Sequence, residues 1–312
     1  MSGSERGRLS LPIGKYFLTE PSAACDYIGV YVCYRQLGRP SRSGEEEKRH
    51  NVELADFAHA YPKAALGFSG GVDSSYLLYA GLRAGADWLP VYVRSVFQPA
   101  FELADAQRLC RDLGTELTVL DVDILSVPQV RSNPADRCYY CKRALFGRLS
   151  DWAASRGISL LLDGNNASDP PTDRPGMRAA AELGVRSPLR EAGLTKADIR
   201  RLSREAGLFT WDKPAYACLA TRIPAGTPLD EGTLDRVERG EAQLREMGYS
   251  DLRIRVFHGA ARIQLPGDQM AAAVQARERI VSALKPLFDP VLLDLEGRPG
   301  GSQECAVKGE KG

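Results

Sequence analysis

Lys63-Ala64-Ala65-Leu66-Gly67-Phe68-Ser69-Gly70-Gly71-Val72-Asp73-Ser74-Ser75 decides how the rest of this chain is read. Its first six residues are a short apolar run of strand character, and from Ser75 to Leu82 apolar residues return at helical spacing. Between them lies a turn with Gly70 and Gly71, which admit backbone geometries closed to other residues. Such a turn lets successive N–H groups converge on an anion. Ser74 and Ser75 then open a helix whose unpaired amides and dipole face the same point. Asp73 does not favour a bare phosphate, so its expected role is to meet a magnesium ion or to orient the loop. No Gly-Lys-Ser/Thr follows the glycines, which excludes the Walker A pattern. A nucleotide phosphate site at Ser69, Gly70, Gly71, Asp73, Ser74 and Ser75 is the expectation; a plain Gly-rich turn with serine caps is the alternative.

Working outward, Asn51 caps a helical pattern through Ala58, and Trp88–Val93, Leu117–Asp121 and Ser159–Asp163 read as further strands. Phe101–Leu113 and Ala144–Arg156 read as helices between them. This alternation predicts an α/β fold, a doubly wound parallel sheet covered on both faces, over residues 51–210. Ligands collect at the carboxyl ends of such strands. There Val93 and Arg94 are expected to line an adenine through backbone groups, and Gly164 and Asn165 to meet a ribose or α-phosphate. Beyond Trp211 the pattern changes to helix Leu229–Met247, strand Leu252–Phe257, helix Met270–Leu284 and strand Val291–Leu295. Residues 211–312 therefore read as a smaller C-terminal α+β domain with a loose Gly-rich tail. Residues 1–50, with the charged, turn-rich stretch 40–50, read as a poorly ordered extension.

The chain has 312 residues, and 41 Lys+Arg stand against 40 Asp+Glu for a net charge of +1. Proteins that hold long polyanions by counterion release carry a basic excess, so a nucleic-acid partner is not expected. No run of about 18 apolar residues spans a membrane, and no secretion signal opens the chain; a cytoplasmic location is the expectation.

Of seven cysteines, Cys25, Cys33, Cys110 and Cys305 are scattered, whereas Cys138 and Cys141 form a C-x-x-C pair. Cys218 lies in Ala217-Cys218-Leu219-Ala220-Thr221-Arg222. A redox pair, a zinc site and an iron–sulfur site all remain open from the residues alone. Zinc wants a fourth N/S ligand, and only His50, His59 and His258 could supply it. An iron–sulfur cluster accepts three thiolates and keeps one iron open. Arg253 and Arg255 alternate with Leu252, Ile254 and Val256, so strand period places both guanidiniums on one face. That pair suits a phosphate; a solvated sheet face is the alternative.

The string Ser69–Ser75 resembles the SGGxDS signature of the PP-loop ATP pyrophosphatases, which have an adenine nucleotide alpha hydrolase-like sheet and cleave ATP between the α and β phosphates. With Arg137-Cys138-Tyr139-Tyr140-Cys141-Lys142, the Ala217–Arg222 string and Leu293-Asp294-Leu295-Glu296-Gly297, the chain from about Val52 to Gly301 is similar to the LarE family. These are ATP-dependent sulfur transferases that make the nickel-pincer nucleotide. The resemblance implies that a carboxylate of a pyridinium dicarboxylate mononucleotide is adenylylated, with Mg2+, and then converted to a thiocarboxylate. Members with one cysteine at the position of Cys218 surrender its sulfur; this chain resembles members in which three cysteines, here Cys138, Cys141 and Cys218, bind a 4Fe–4S cluster. It further implies roles for Lys142 and Arg222 as charges facing substrate, for Glu241 as an active-site acid, and for Arg253 and Arg255 at the substrate phosphate. Surface charges are the alternatives for Lys142, Arg222 and Glu241. The family forms hexamers, so a homo-oligomer is expected. A PP-loop tRNA thiolase, an amide-forming synthetase and a non-enzymatic nucleotide-binding regulator are the competing readings.

Overall fold

The computed structural model describes residues 53–169 and 175–298, all within one compact unit. The expected extension at 1–50 and the tail past Arg298 lie outside the described residues. Helix α1 (53–60) leads into strand β1 (Lys63–Gly67), and helix α2 (Val72–Arg83) follows the glycine turn. Strand β2 (Asp87–Arg94), helix α3 (Ala100–Asp112) and strand β3 (Thr118–Asp121) continue the alternation. A short helix α4 (Pro128–Arg131) and the long α5 (Arg137–Ala154) precede β4 (Leu161–Leu162).

The four strands form a parallel sheet of order β3-β2-β1-β4. Strand period decides the packing. Ala64 and Leu66 pack toward α2, α3 and a later helix, while Ala65 and Val91 pack toward Phe146, Leu149 and Trp152 of α5. Both faces are covered, as the near-continuous apolar strands require. The chain winds outward in both directions from β1, so the strand order reverses between β1 and β4. A crevice therefore opens above their carboxyl ends. That crevice receives the glycine turn from one side and Gly164 from the other.

Three helices not read from the sequence follow β4: α6 (Pro175–Glu182), α7 (Pro188–Glu191) and α8 (Lys196–Glu205). α8 carries a capping box, with Thr195 accepting from the Asp198 amide and Asp198 reaching back to the Thr195 amide. Then come α9 (Glu231–Glu246), β5 (Arg253–Phe257), β6 (Ala260–Gln264), α10 (Met270–Gln275), α11 (Arg277–Leu284) and β7 (Val291–Leu293). β5, β6 and β7 make a second sheet in that order. Strand β6 was not expected. It is turned back on β5 by His258 and Gly259, both at positive φ (49° and 84°), the geometry of a two-residue hairpin loop. The helix expected over Met270–Leu284 breaks in two at Ala276, where φ is −89° and ψ 12°. The second sheet and α9 share an apolar cluster with Phe97, Ile124 and Val130, which belong to the segments that follow β2 and β3, while the strands of the first sheet pack in two clusters of their own. Among the described residues no helix is long and apolar enough to cross a membrane.

Candidate active site

The glycine turn is shaped by its neighbours as well as by its own residues. Gly70 has φ +68°, and a Cβ there would lie 3.0 Å from that of Ala106; both facts demand glycine. Gly71 is the N-cap of α2 and no side chain caps it, which leaves first-turn amides for an incoming anion. Ser69 Oγ and Ser74 Oγ are 3.0 Å apart, and the Gly71 amide donates to Ser69 Oγ at 3.3 Å. Across the crevice, a Cβ on Gly164 would come within 2.9 Å of the Ser74 nitrogen. Ser75 is turned the other way. It is fully buried and its hydroxyl has no partner among the described residues.

Asp73 accepts from Lys196 Nζ at 2.5 Å and from Asn166 Nδ2 at 3.2 Å. Burial raises its carboxyl above the usual range, against the opposing pull of Lys196. Among the described residues no three His, Cys, Asp or Glu side chains gather to hold a metal ion. Magnesium is ordinarily held by one or two carboxylates together with substrate phosphates; Asp73 fits that arrangement only with a nucleotide present.

A slot of about 130 Å³ adjoins the turn, lined by Gly67, Tyr92, Val93, Leu145 and Phe146 among others. Val93, expected at an adenine, lines this slot. Arg94 is not among the residues that line the slot; its side chain donates from Nε and Nη2 to Asp121 at 2.5 and 2.8 Å, which leaves its backbone groups apart from that pair. Asn165 gives its side-chain amide to Asp163 at 2.5 Å and lines a separate cavity of about 240 Å³.

The larger cavity, about 360 Å³, is walled by Ser69, Gly71 and Asp73 on one side and by Cys138, Cys141 and Cys218 on the other. The first two cysteines lie on α5, which starts at Arg137 rather than near Ala144, so Cys138 and Cys141 share a face of its first turns. Cys138 is exposed; Cys141 and Cys218 are half-buried. Burial pushes the Cys141 thiol up to about 12 and raises Cys218 also. Lys142 lines the slot and the cavity, its ammonium 5.1 Å from the Phe146 ring centroid.

The loop bearing Cys218 is fastened by arginines. The carbonyls of Ala215, Ala217, Ala220 and Thr221 accept from Arg253 (2.9 Å), Arg222 (2.8 Å), Arg137 (3.1 Å) and Arg255 (2.8 Å). The surface-charge alternatives for Arg222 and Glu241 are overturned: their side chains are 0 % exposed and pair at 2.7 Å. Glu241 also accepts from Tyr216 Oη at 2.6 Å and the Ile254 amide at 3.0 Å. Arg253 and Arg255 do share a face, but it is not a solvated one. Arg253 is 3 % exposed, and burial beside Arg222 and Arg298 brings its guanidinium down to about 10.

Four residues outside the sequence reading complete the walls. Lys196 and Arg137 are two. Lys213 pairs with Asp105 at 2.7 Å and donates to the Gly70 carbonyl at 3.2 Å. Glu102 lines both the slot and the cavity, and burial pushes its carboxyl up to about 7 despite Lys213 nearby. Each acquires its place through contacts far along the chain, as from Lys196 to Asp73, and no local pattern marks them.

No family model matches the chain. An uncharacterized protein of Synechocystis is 35 % identical over 260 residues, covering 82 % of this chain and 96 % of its own length. The pyridinium-3,5-bisthiocarboxylic acid mononucleotide synthase of Lactiplantibacillus plantarum is 34 % identical over 252 residues, 80 % of this chain and 91 % of that enzyme. The chain belongs to the LarE family. An uncharacterized protein of Methanocaldococcus jannaschii is 26 % identical over 235 residues, 75 % of this chain and 90 % of that protein. The described LarE fold is an α/β domain on a parallel four-stranded sheet with a smaller C-terminal part.

Proposed function

We propose that this chain is an ATP-dependent sulfur transferase that adenylylates a carboxylate of a pyridinium dicarboxylate mononucleotide and converts it to a thiocarboxylate. One observation carries the reading: a single cavity is walled by the phosphate turn and by all three cysteines. The glycine-freed amides at the tip of α2 suit the pyrophosphate that leaves when a substrate carboxylate oxygen attacks the α-phosphorus. The P–O bond to the β-phosphate breaks, and the acid becomes a mixed anhydride with AMP. A sulfur nucleophile from the cysteine wall then forms a C–S bond, and AMP departs with the carboxyl oxygen. Lys142 lines both spaces and would hold anionic substrate between the two steps.

Cys138, Cys141 and Cys218 would hold a 4Fe–4S cluster. Three thiols opening on one roomy, half-buried cavity fit that group, since each thiolate binds a different iron and the sulfurs need not meet at one point. When bound, such a cluster would supply the sulfur that is transferred.

The test is pyrophosphate exchange into ATP with and without the mononucleotide, followed by mass spectrometry of the product. Exchange that needs the mononucleotide, with oxygen replaced by sulfur in the product, is expected. Exchange that responds to tRNA and not to the mononucleotide would favour a thiolase instead. Serine at all three cysteines is expected to leave exchange in place and abolish thiocarboxylate.

A further inference from the structure

The cysteines of the cavity wall come from two distant segments, and a pair of residues outside the proposed chemistry fixes one segment against the other. Asn133, just before α5, sits in left-handed backbone at φ 54° and is 1 % exposed. Its Nδ2 donates to the carbonyls of Pro224 at 2.8 Å and Thr227 at 3.0 Å, and its own carbonyl accepts from the Gly226 amide at 2.7 Å. Its Oδ1 accepts from Arg137 Nη1 at 2.6 Å. That same nitrogen donates to the Ala220 carbonyl at 3.1 Å, while Nη2 lies 3.9 Å from Cys138 Sγ. The Leu229 amide adds a bond to the Arg131 carbonyl at 2.8 Å. Five hydrogen bonds thus join 131–137 to 220–229, immediately beside Cys138 and Cys218.

Left-handed backbone at a residue other than glycine persists where its surroundings over-determine it, and such positions cluster at functional sites. Asparagine tolerates it best. The charge of Arg137 is equally pointed. Arg137 as a residue is 8 % exposed, and among the described residues the partners of its guanidinium are an amide oxygen, a carbonyl and a thiol, with no carboxylate. A buried cation without a counter-ion is costly, so this one stands ready for an anion, and the cavity that Arg137 helps to line is where one would meet it.

We propose that Arg137, braced by Asn133, is the positioning residue of the sulfur site: it sets Cys138 and Cys141 against Cys218 and turns a positive charge toward them. This rests on the reading of the three cysteines as one site. Arginine suits the task because its fork reaches several acceptors at once, which a lysine ammonium does not.

The test uses iron-free full-length protein and two thiol probes. Dibromobimane bridges only thiols within a few ångströms, and peptide mapping counts bridges from Cys218 to Cys138 or Cys141. Asn133→Gly and Arg137→Gln are expected to lower that yield at least threefold while circular dichroism shows intact folding. For the charge, Cys138 is alkylated with anionic iodoacetate and neutral iodoacetamide, and the ratio of rates cancels the thiol's own reactivity. Arg137→Gln lowers the ratio at least threefold; Arg137→Lys keeps the ratio and still loses bridging. Wild-type bridging in both folded variants, or an unchanged ratio in Arg137→Gln, overturns the proposal. Iron uptake by wild-type protein is measured separately, so failure there strikes the proposed cluster and leaves both probes readable.

Discussion

Replacing Glu241 with alanine separates two roles that sequence alone left entangled, an acid that works on substrate and an acid that holds the protein together. The carboxylate accepts from Arg222 Nε at 2.7 Å and Nη2 at 3.1 Å, Tyr216 Oη at 2.6 Å, Arg245 Nη2 at 3.1 Å and the Ile254 amide at 3.0 Å. Removing it strands Arg222, whose side chain is 0 % exposed. Breaking a buried pair from one side costs about 3–5 kcal/mol. For a chain of this size each kcal/mol moves Tm by about 2–4 °C, so a fall of roughly 6–20 °C is expected. Arg222 also holds the Ala217 carbonyl, so the Cys218 loop loosens and Cys218 alkylates faster. The pH dependence has a definite sign. Burial alone would raise the carboxyl, but Arg222, Tyr216 and the Ile254 amide outweigh it and hold it below 4.5. A depressed carboxyl stabilises the fold above its unfolded value and loses that contribution as pH falls through the folded one. Wild-type protein should therefore lose more stability than Glu241→Gln on acidification below pH 4.5. Calorimetry across pH, with pyrophosphate exchange alongside, reads all of this. If Glu241→Ala keeps its Tm within about 2 °C yet loses exchange, against the shift expected above, the structural reasoning is wrong and the carboxylate acts on substrate.

Gly164→Ala puts a methyl 2.9 Å from the Ser74 nitrogen. Overpacking of that kind costs about 1–3 kcal/mol, and if the phosphate turn absorbs it, ATP binding weakens by roughly 5- to 150-fold in a calorimetric titration; unchanged affinity would place the nucleotide elsewhere. Glu102 has its carboxyl raised by burial from 4.5 to about 7, so the folded state holds the extra proton across that window and stability declines as pH rises through it. The shift corresponds to at most about 3 kcal/mol. Glu102→Gln should gain on wild type in urea unfolding at pH 8 relative to pH 5, and parallel pH profiles would contradict the assignment.

The parallel sheet was legible because buried strands between amphipathic helices leave a strong periodic pattern, and the turn at Ser69–Ser75 because glycine and serine carry their chemistry locally. Elements after β4 were missed where the signal is weak. α8 is rich in charge, and its capping box is its clearest mark. β6 depends on a His-Gly turn outside the common Asn-Gly form. The start of α5 was placed late because Cys138, Tyr139 and Tyr140 are poor helix formers whose place is set by the cavity. In the site, Cys138, Cys141 and Cys218, grouped in the sequence by resemblance, line one cavity. The burial of Arg222, Glu241 and Arg253 was not foreseen, since a charged residue in a strand or helix reads as solvated until its partner is known. Lys196 and Lys213 owe their positions to contacts that no window of sequence contains, and Arg137, though held by Asn133 four residues before it, is fixed also on the distant Ala220 carbonyl.

Helix α5 lends its first turns to the cysteine wall and its next turns, through Leu145, Phe146 and Leu149, to the floor of the slot above β1 and β2. An α-helix of 18 residues is a stiff rod, so the two ends cannot be adjusted separately. A molecule pressing on the floor is expected to shift Cys138 and Cys141 with it, like two hands on one oar, while Cys218 stays on its own loop. Under the proposed function, filling of the slot and presentation of Cys138 and Cys141 become one mechanical event without a hinge.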